Sequence, residues 1–132
     1  MKHLLIKTLA GTGLMLATVT AYAQYQPRPI QYQEDREARQ DRIFDRARAD
    51  LDHAGGFAMP YTGDHERLDE ALARVDDCQR AVATGEDDGR TFGVTIAAIQ
   101  RVVDRNRMPD ENRNMLIDDV VALRHLQERM EG

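Results

Sequence analysis

Serine and tryptophan are absent from the 132 residues, lysine occurs only at Lys2 and Lys7, and Cys78 is the sole cysteine. Without serine there is no seryl nucleophile, and the body of the chain has no lysine amine for Schiff-base chemistry. One cysteine closes no internal disulfide, and no CxxCH signature is present to attach a c-type haem. Sustained two-residue alternation is missing as well, so the chain offers no strand of the half-buried kind.

What is present begins with a leader. Lys2 and Lys7 supply a positive start, Thr8 to Thr20 is apolar or small, and Ala21-Tyr22-Ala23 is a small-x-small site before Gln24. Residues 1–23 are therefore expected to be a secretory signal peptide, with the product exported to the periplasm or beyond the cell after cleavage following Ala23. The apolar run is too short for a membrane span, and no cysteine follows it to carry a lipid. Lys2 and Lys7 leave with the leader, which makes the remainder more acidic than the formal −5 of the whole chain. An acidic surface with both signs interspersed is a poor footprint for phosphate backbones or anionic lipid, so neither nucleic acid nor membrane is an expected partner.

The rest has the length of one small domain, read as residues 34–132 behind a lead at 24–33. That lead, QYQPRPIQYQ, is expected to be extended or disordered, because Pro27 and Pro29 oppose regular helix. A first helix is expected over about Glu34 to Ala54, where Ile43, Ala47, Leu51 and Ala54 recur every three or four residues and Phe44 widens the stripe. Asp35 to Arg39 and Arg46 to Asp50 read as opposite-charge pairs on its outer surface. Gly55-Gly56 ends it, and Phe57-Ala58-Met59-Pro60-Tyr61 forms an unusually apolar connection.

A second helix follows from near Asp64 to Thr84, with Leu68, Ala71, Leu72, Val75 and Val82 on one face and Gly85 as its stop. The acidic turn Glu86-Asp87-Asp88-Gly89 is expected to cap a third helix with an Asp carboxylate. In that third helix Phe92, Ile96, Ile99 and Val103 share a narrow arc, and it ends by Asn106. Pro109 pre-sets a fourth, with Asp110 and Glu111 at the positive end of its dipole. Its main stripe is Leu116, Val120, Leu123, Leu126 and Met130. Ile117 and Val121 lie to one side, which predicts contact with two neighbours: two helices of the same chain or, as the alternative, a helix of the chain and a dimer partner. The expected fold is all-α: a small antiparallel bundle of four helices, or of three with the first docked more loosely.

Motifs with chemical content are few. The stretch from Asp104 to Asn112 alternates oxygen side chains but has Pro109 where a calcium loop needs Gly and Met115 where it needs Glu. It reads instead as a turn in which Asp104, Asn106 and Asp110 cap free backbone groups. His53 and His65 flank one loop beside Asp52 and Asp64, and a weak metal site there is the alternative reading of the chain, as a metal-binding or metal-responsive periplasmic protein. Neither His53 nor His65 has an HxxxH or HxxE partner to support that site, and His125 lies far from both in the sequence. Cys78, preceded by Asp76 and Asp77, has no environment that favours thiolate, and reads as a buried small residue or an interchain disulfide. The neighbours Asp76/Asp77 and Asp118/Asp119 point about 100 degrees apart on a helix and make no acid dyad by themselves.

From Phe92 onward, Ile96-Ala97-Ala98-Ile99-Gln100-Arg101-Val102-Val103-Asp104-Arg105-Asn106, then Met108-Pro109-Asp110, then Met115-Leu116-Ile117-Asp118-Asp119-Val120, the chain loosely resembles the C-terminal segment of small, exported, uncharacterised bacterial α-helical proteins. The resemblance covers about a third of the chain and implies a helix-turn-helix layout with no known activity. In size, export and helicity the chain also resembles periplasmic stress chaperones of the Spy and CpxP type, but it lacks their LTxxQ motif and is acidic. The expected function is therefore non-enzymatic and without cofactor: an exported helical protein that contacts another protein or itself, a homodimer being one form of the latter. Phe57, Met59, Tyr61, Ile117 and Val121 are the candidate contact residues.

Overall fold

In the computed structural model, residues 29–86 and 89–131 are described; the leader, the first residues of the lead, and Asp87 and Asp88 lie outside them. Four helices and no strand occur among the described residues: α1 (Pro29–Gly55), α2 (Gly63–Thr84), α3 (Arg90–Arg105) and α4 (Asp110–Glu131). The all-α bundle expected from helical periodicity is the observed fold.

Helix α1 starts at Pro29, so residues 29–33, expected to be extended, are helical. Proline at a first helical position gives up an N–H that has no partner there and brings a backbone angle already suited to the helix. The unit from Glu37 to the C-terminus contains the core. Phe44, Ala47, Leu51 and Ala54 of α1 are buried with Leu68, Ala71, Val75 and Cys78 of α2, with Phe92, Ile96, Ile99 and Val103 of α3, and with Leu116, Val120, Leu123 and Leu126 of α4. The Phe44 and Phe92 rings, 6.2 Å between centroids, join α1 to α3. Leu72 and Val82 are only partly buried, and Met130, expected in the main stripe of α4, is exposed.

Side-chain bonds fix neighbouring helices antiparallel. Arg48 of α1 reaches Asp76 and Gln79 of α2, while Gln79 donates back to Asp41, 3.2 Å away. Between α2 and α3, the Thr95 hydroxyl lies 3.0 Å from the Arg74 carbonyl, and Arg101 approaches Glu70 at 3.5 Å. Between α3 and α4, Arg113 donates to the Val103 carbonyl at one end, and Gln127 to the Gly89 carbonyl at the other.

The connections follow their turn chemistry. Gly85 takes a left-handed conformation (φ 72) and returns its N–H to the end of α2, as a stop glycine does. The N-cap position of α3 is Gly89 (φ 84); the expected Asp87 and Asp88 cap lies outside the described residues. The left-handed backbone at Gly89 favours glycine, whereas a Cβ there would only have to displace the flexible end of the Glu131 side chain. Replacing Phe92, fully buried against Phe44, by Ala is expected to cost about 3–5 kcal/mol in a urea titration. Val94→Ala on the exposed side of the same helix is expected to change stability by less than about 0.5 kcal/mol.

Candidate functional site

The loop between α1 and α2 holds three of the five candidate contact residues. Phe57 is 49% exposed, Met59 72% and Tyr61 101%. Their display is not that of a slack loop. The Phe57 and Ala58 amides return to the Ala54 and Gly55 carbonyls, and the Thr62 hydroxyl donates to the Met59 carbonyl at 2.6 Å. Thr62 also accepts the His65 amide and so caps α2, a role the sequence reading did not assign. Tyr61 has φ 63, a left-handed backbone that non-glycine residues adopt at a cost of about 1 kcal/mol or more. The loop accepts that strain while leaving the ring in solvent.

Ile117 and Val121, 40% and 43% exposed, lie one turn apart on α4. The expectation that a second helix of the same chain covers them is corrected. The buried face of α4 centres on Leu116, Val120 and Leu123 and extends through Asp119 and Leu126 to the other side, leaving Ile117 and Val121 at the surface.

Cys78 is completely buried in α2, so a disulfide to another chain would require that face of the helix to leave the core. His53 and His65 are both exposed, and His65 pairs with Asp69 one turn along its own helix at 3.2 Å. Among the described residues no group of three His, Cys, Asp or Glu side chains is placed to hold a metal ion.

Two clusters escaped the sequence reading. The first clasps the start of α2 to the α3–α4 turn. Asn106, nearly fully buried, donates to the Asp64 carbonyl at 2.9 Å and accepts from Arg67 Nε at 2.8 Å. Asp64 accepts the Arg107 amide and the Arg67 guanidinium, and Arg113 donates to the Asn106 carbonyl. The turn is therefore held from α2, rather than by Asp104, Asn106 and Asp110 capping their own neighbours. Asp104 accepts from the Gln100 side chain instead. The Arg107 amide, and behind it the Arg67 guanidinium, keep the Asp64 carboxyl below its ordinary value.

The second cluster is a pair of acids in the seam between α1 and α4. Asp50 is 5% exposed and Asp119 2%, and their side chains hydrogen-bond. Asp50 was expected on the outer surface with Arg46; it is buried, and Arg46 reaches over the pair from a largely exposed position. Arg46 Nε stands 3.9 Å from Asp50 Oδ2 and 3.7 Å from Asp119 Oδ1, within ion-pair range but too far for a good hydrogen bond. Asp50 Oδ2 and Asp119 Oδ2 are buried and meet no hydrogen-bond donor. Burial above all, then the Asp50 side chain, push the Asp119 carboxyl up to about 8 against the weaker opposing pull of Arg46. A carboxyl so raised favours its protonated form, in which Asp119 can donate to the Asp50 side chain.

Compared with protein-family models, with curated proteins and with solved structures, the chain finds no match. No helix among the described residues is long and apolar enough to cross a membrane.

Asn106→Ala, which strands Arg67 Nε, is expected to cost about 1–3 kcal/mol in denaturant titrations. A carboxyl held below its ordinary value stabilises the fold above that value and loses the contribution as the pH falls beneath it. Asp64→Asn is accordingly expected to flatten the acid side of the stability profile, measured by melting between about pH 5 and about pH 2.

Proposed function

We infer that the chain is an exported, non-enzymatic helical protein that acts by contact with another protein or with a second copy of itself, through the loop from Phe57 to Tyr61. The observation that carries this reading is the display of Phe57, Met59 and Tyr61 on a hydrogen-bonded loop, with Tyr61 in a costly backbone conformation and its ring in solvent. Large apolar side chains held outward in a fixed loop lose little freedom on meeting a partner, which favours association. The exposed Ile117 and Val121 add a second apolar stretch to the surface. The burial of Asp50 and Asp119 supports a structural rather than catalytic role for this pair.

Light scattering of the chain lacking residues 1–23, together with capture from envelope extract, tests this reading. The natural loop is expected to give either a concentration-dependent mass above the monomer or a saturable partner. Replacing Phe57, Met59 and Tyr61 together by Ser is expected to abolish whichever is seen while leaving the melting temperature within a few degrees, about the effect of surface substitutions. The mass is expected to be the same with and without reductant, because Cys78 is buried. A monomer with no partner, unchanged by the triple substitution, would contradict the reading.

A further inference from the structure

We propose that one proton shared between Asp50 of α1 and Asp119 of α4 is a latch that holds α1 on the bundle, and that its loss as the pH rises loosens α1 selectively. The geometry that carries this is the meeting of two carboxyl side chains, one from each helix, in a seam closed to water. One oxygen of each, Asp50 Oδ2 and Asp119 Oδ2, is buried and receives no hydrogen bond from any backbone, amide, hydroxyl or guanidinium donor. Two buried carboxylates so placed repel unless something positive lies between them.

A proton fits that position and a metal ion does not. Two carboxyls buried away from water leave no solvent ligands to complete the shell of calcium or magnesium, and Arg46 already brings a positive charge against the pair from outside. With the proton in place, the Asp119 hydroxyl donates to the Asp50 carboxylate and Arg46 faces one net negative charge. When the proton passes to water, Arg46 faces two. The charged groups acting on Asp119 are Asp50 and Arg46 from α1 and Asp118 beside it on α4, so the second negative charge meets two acids and one partly solvated guanidinium.

The consequence falls on α1 because the other helices are not joined through this pair. Helices α2, α3 and α4 are tied to one another by Arg67, Asn106, Thr95, Arg113 and Gln127, none of which involves Asp50 or Asp119. Helix α1 keeps its Arg48 contacts to α2 and its Phe44 contact to α3, so the expected event is a loosened helix on a standing three-helix remainder.

The sign follows from the direction in which Asp119 is displaced. A carboxyl raised above its unfolded value contributes stability that is complete below that value and is lost as the pH climbs to the folded one. The window therefore runs from near 4 to about 8, beyond which no further loss comes from this pair. Asp119→Asn keeps a donor towards Asp50 but has no proton to lose. Melting of the natural chain and of this variant is compared from about pH 5 to about pH 9. The natural chain is expected to fall by about 5 °C or more relative to Asp119→Asn between about pH 5 and about pH 8, with a constant gap above. Hydrogen-exchange protection, corrected for intrinsic rates, is expected to drop in α1 before α3 in the natural chain and together in the variant. Asp50→Asn, altered on the opposite helix, is expected to reproduce the flat profile. Parallel melting profiles for the natural chain and both variants would overturn the proposal, as would α1 protection that follows α3 at every pH. Should neither variant fold, a carboxyl-carbon NMR titration of the natural chain decides: a resonance moving near pH 8 supports the latch, and titration of every carboxyl below about pH 5 overturns it.

Discussion

The closure of α1 onto the bundle rests on placing two acids where only one charge is tolerable. Asp50 and Asp119 occupy core-facing positions on two helices, inside the apolar seam that runs from Phe44 to Ala54 on one helix and from Leu116 to Leu126 on the other, so closing that seam buries both. An isolated buried carboxylate costs several kcal/mol, and two side by side cost more. A shared proton removes one charge and supplies one hydrogen bond. Arg46, poised at 3.7 and 3.9 Å, answers the charge that remains.

The magnitudes are close enough for this pair to matter to the docking of a whole helix. Holding a carboxyl at about 8 rather than 3.8 corresponds to a few pH units at 1.36 kcal/mol each, on the order of 5 kcal/mol. The two large apolar anchors of α1, Phe44 and Leu51, each contribute about 1.5–3 kcal/mol by burial. Loss of the proton thus opposes a docking energy of its own size. The remaining ties of α1 do little to change that comparison, because the Arg48 to Asp76 pair is half in water and exposed pairs are worth about 1 kcal/mol or less. At the α3–α4 turn, the Asp64 clasp answers pH with the opposite sign, losing strength in acid. The domain is therefore drawn together at one seam by a proton that must stay and at one turn by a proton that must not bind.

Much of the architecture was legible in the chain. The three- and four-residue spacing of Leu68, Ala71 and Val75, and of Phe92, Ile96, Ile99 and Val103, located the core faces of α2 and α3, and Gly85 marked the end of α2 as expected of a left-handed glycine. Helix α1 begins earlier than a helix-breaking proline predicts, because Pro29 stands in the first turn, where its missing N–H has no partner to lose. Asp50 was misread because Arg46 four residues earlier offered a surface pair. The missed signal was angular: at 100 degrees per residue, Asp50 falls beside Ile43 and Ala54, and Asp119 between Leu116 and Leu126, inside the apolar arcs. The Asn106 clasp had no such signal, since its partners Asp64 and Arg67 are some forty residues away and adjacency in space is not written in local spacing. Of the candidate contact residues, Ile117 and Val121 are left exposed because the buried arc of α4 runs from Val120 through Leu116 and Leu123 to Asp119 and Leu126.

The central claim concerns proton balance, and calorimetry reads it without any substitution. Unfolding enthalpies measured at about pH 6.5 in buffers of different ionisation heat give the number of protons exchanged on unfolding. The account predicts the release of about one proton, because Asp119 holds one in the fold and gives it up in the open chain. No net release would mean that both acids are ionised in the folded domain and that the seam is held by something else.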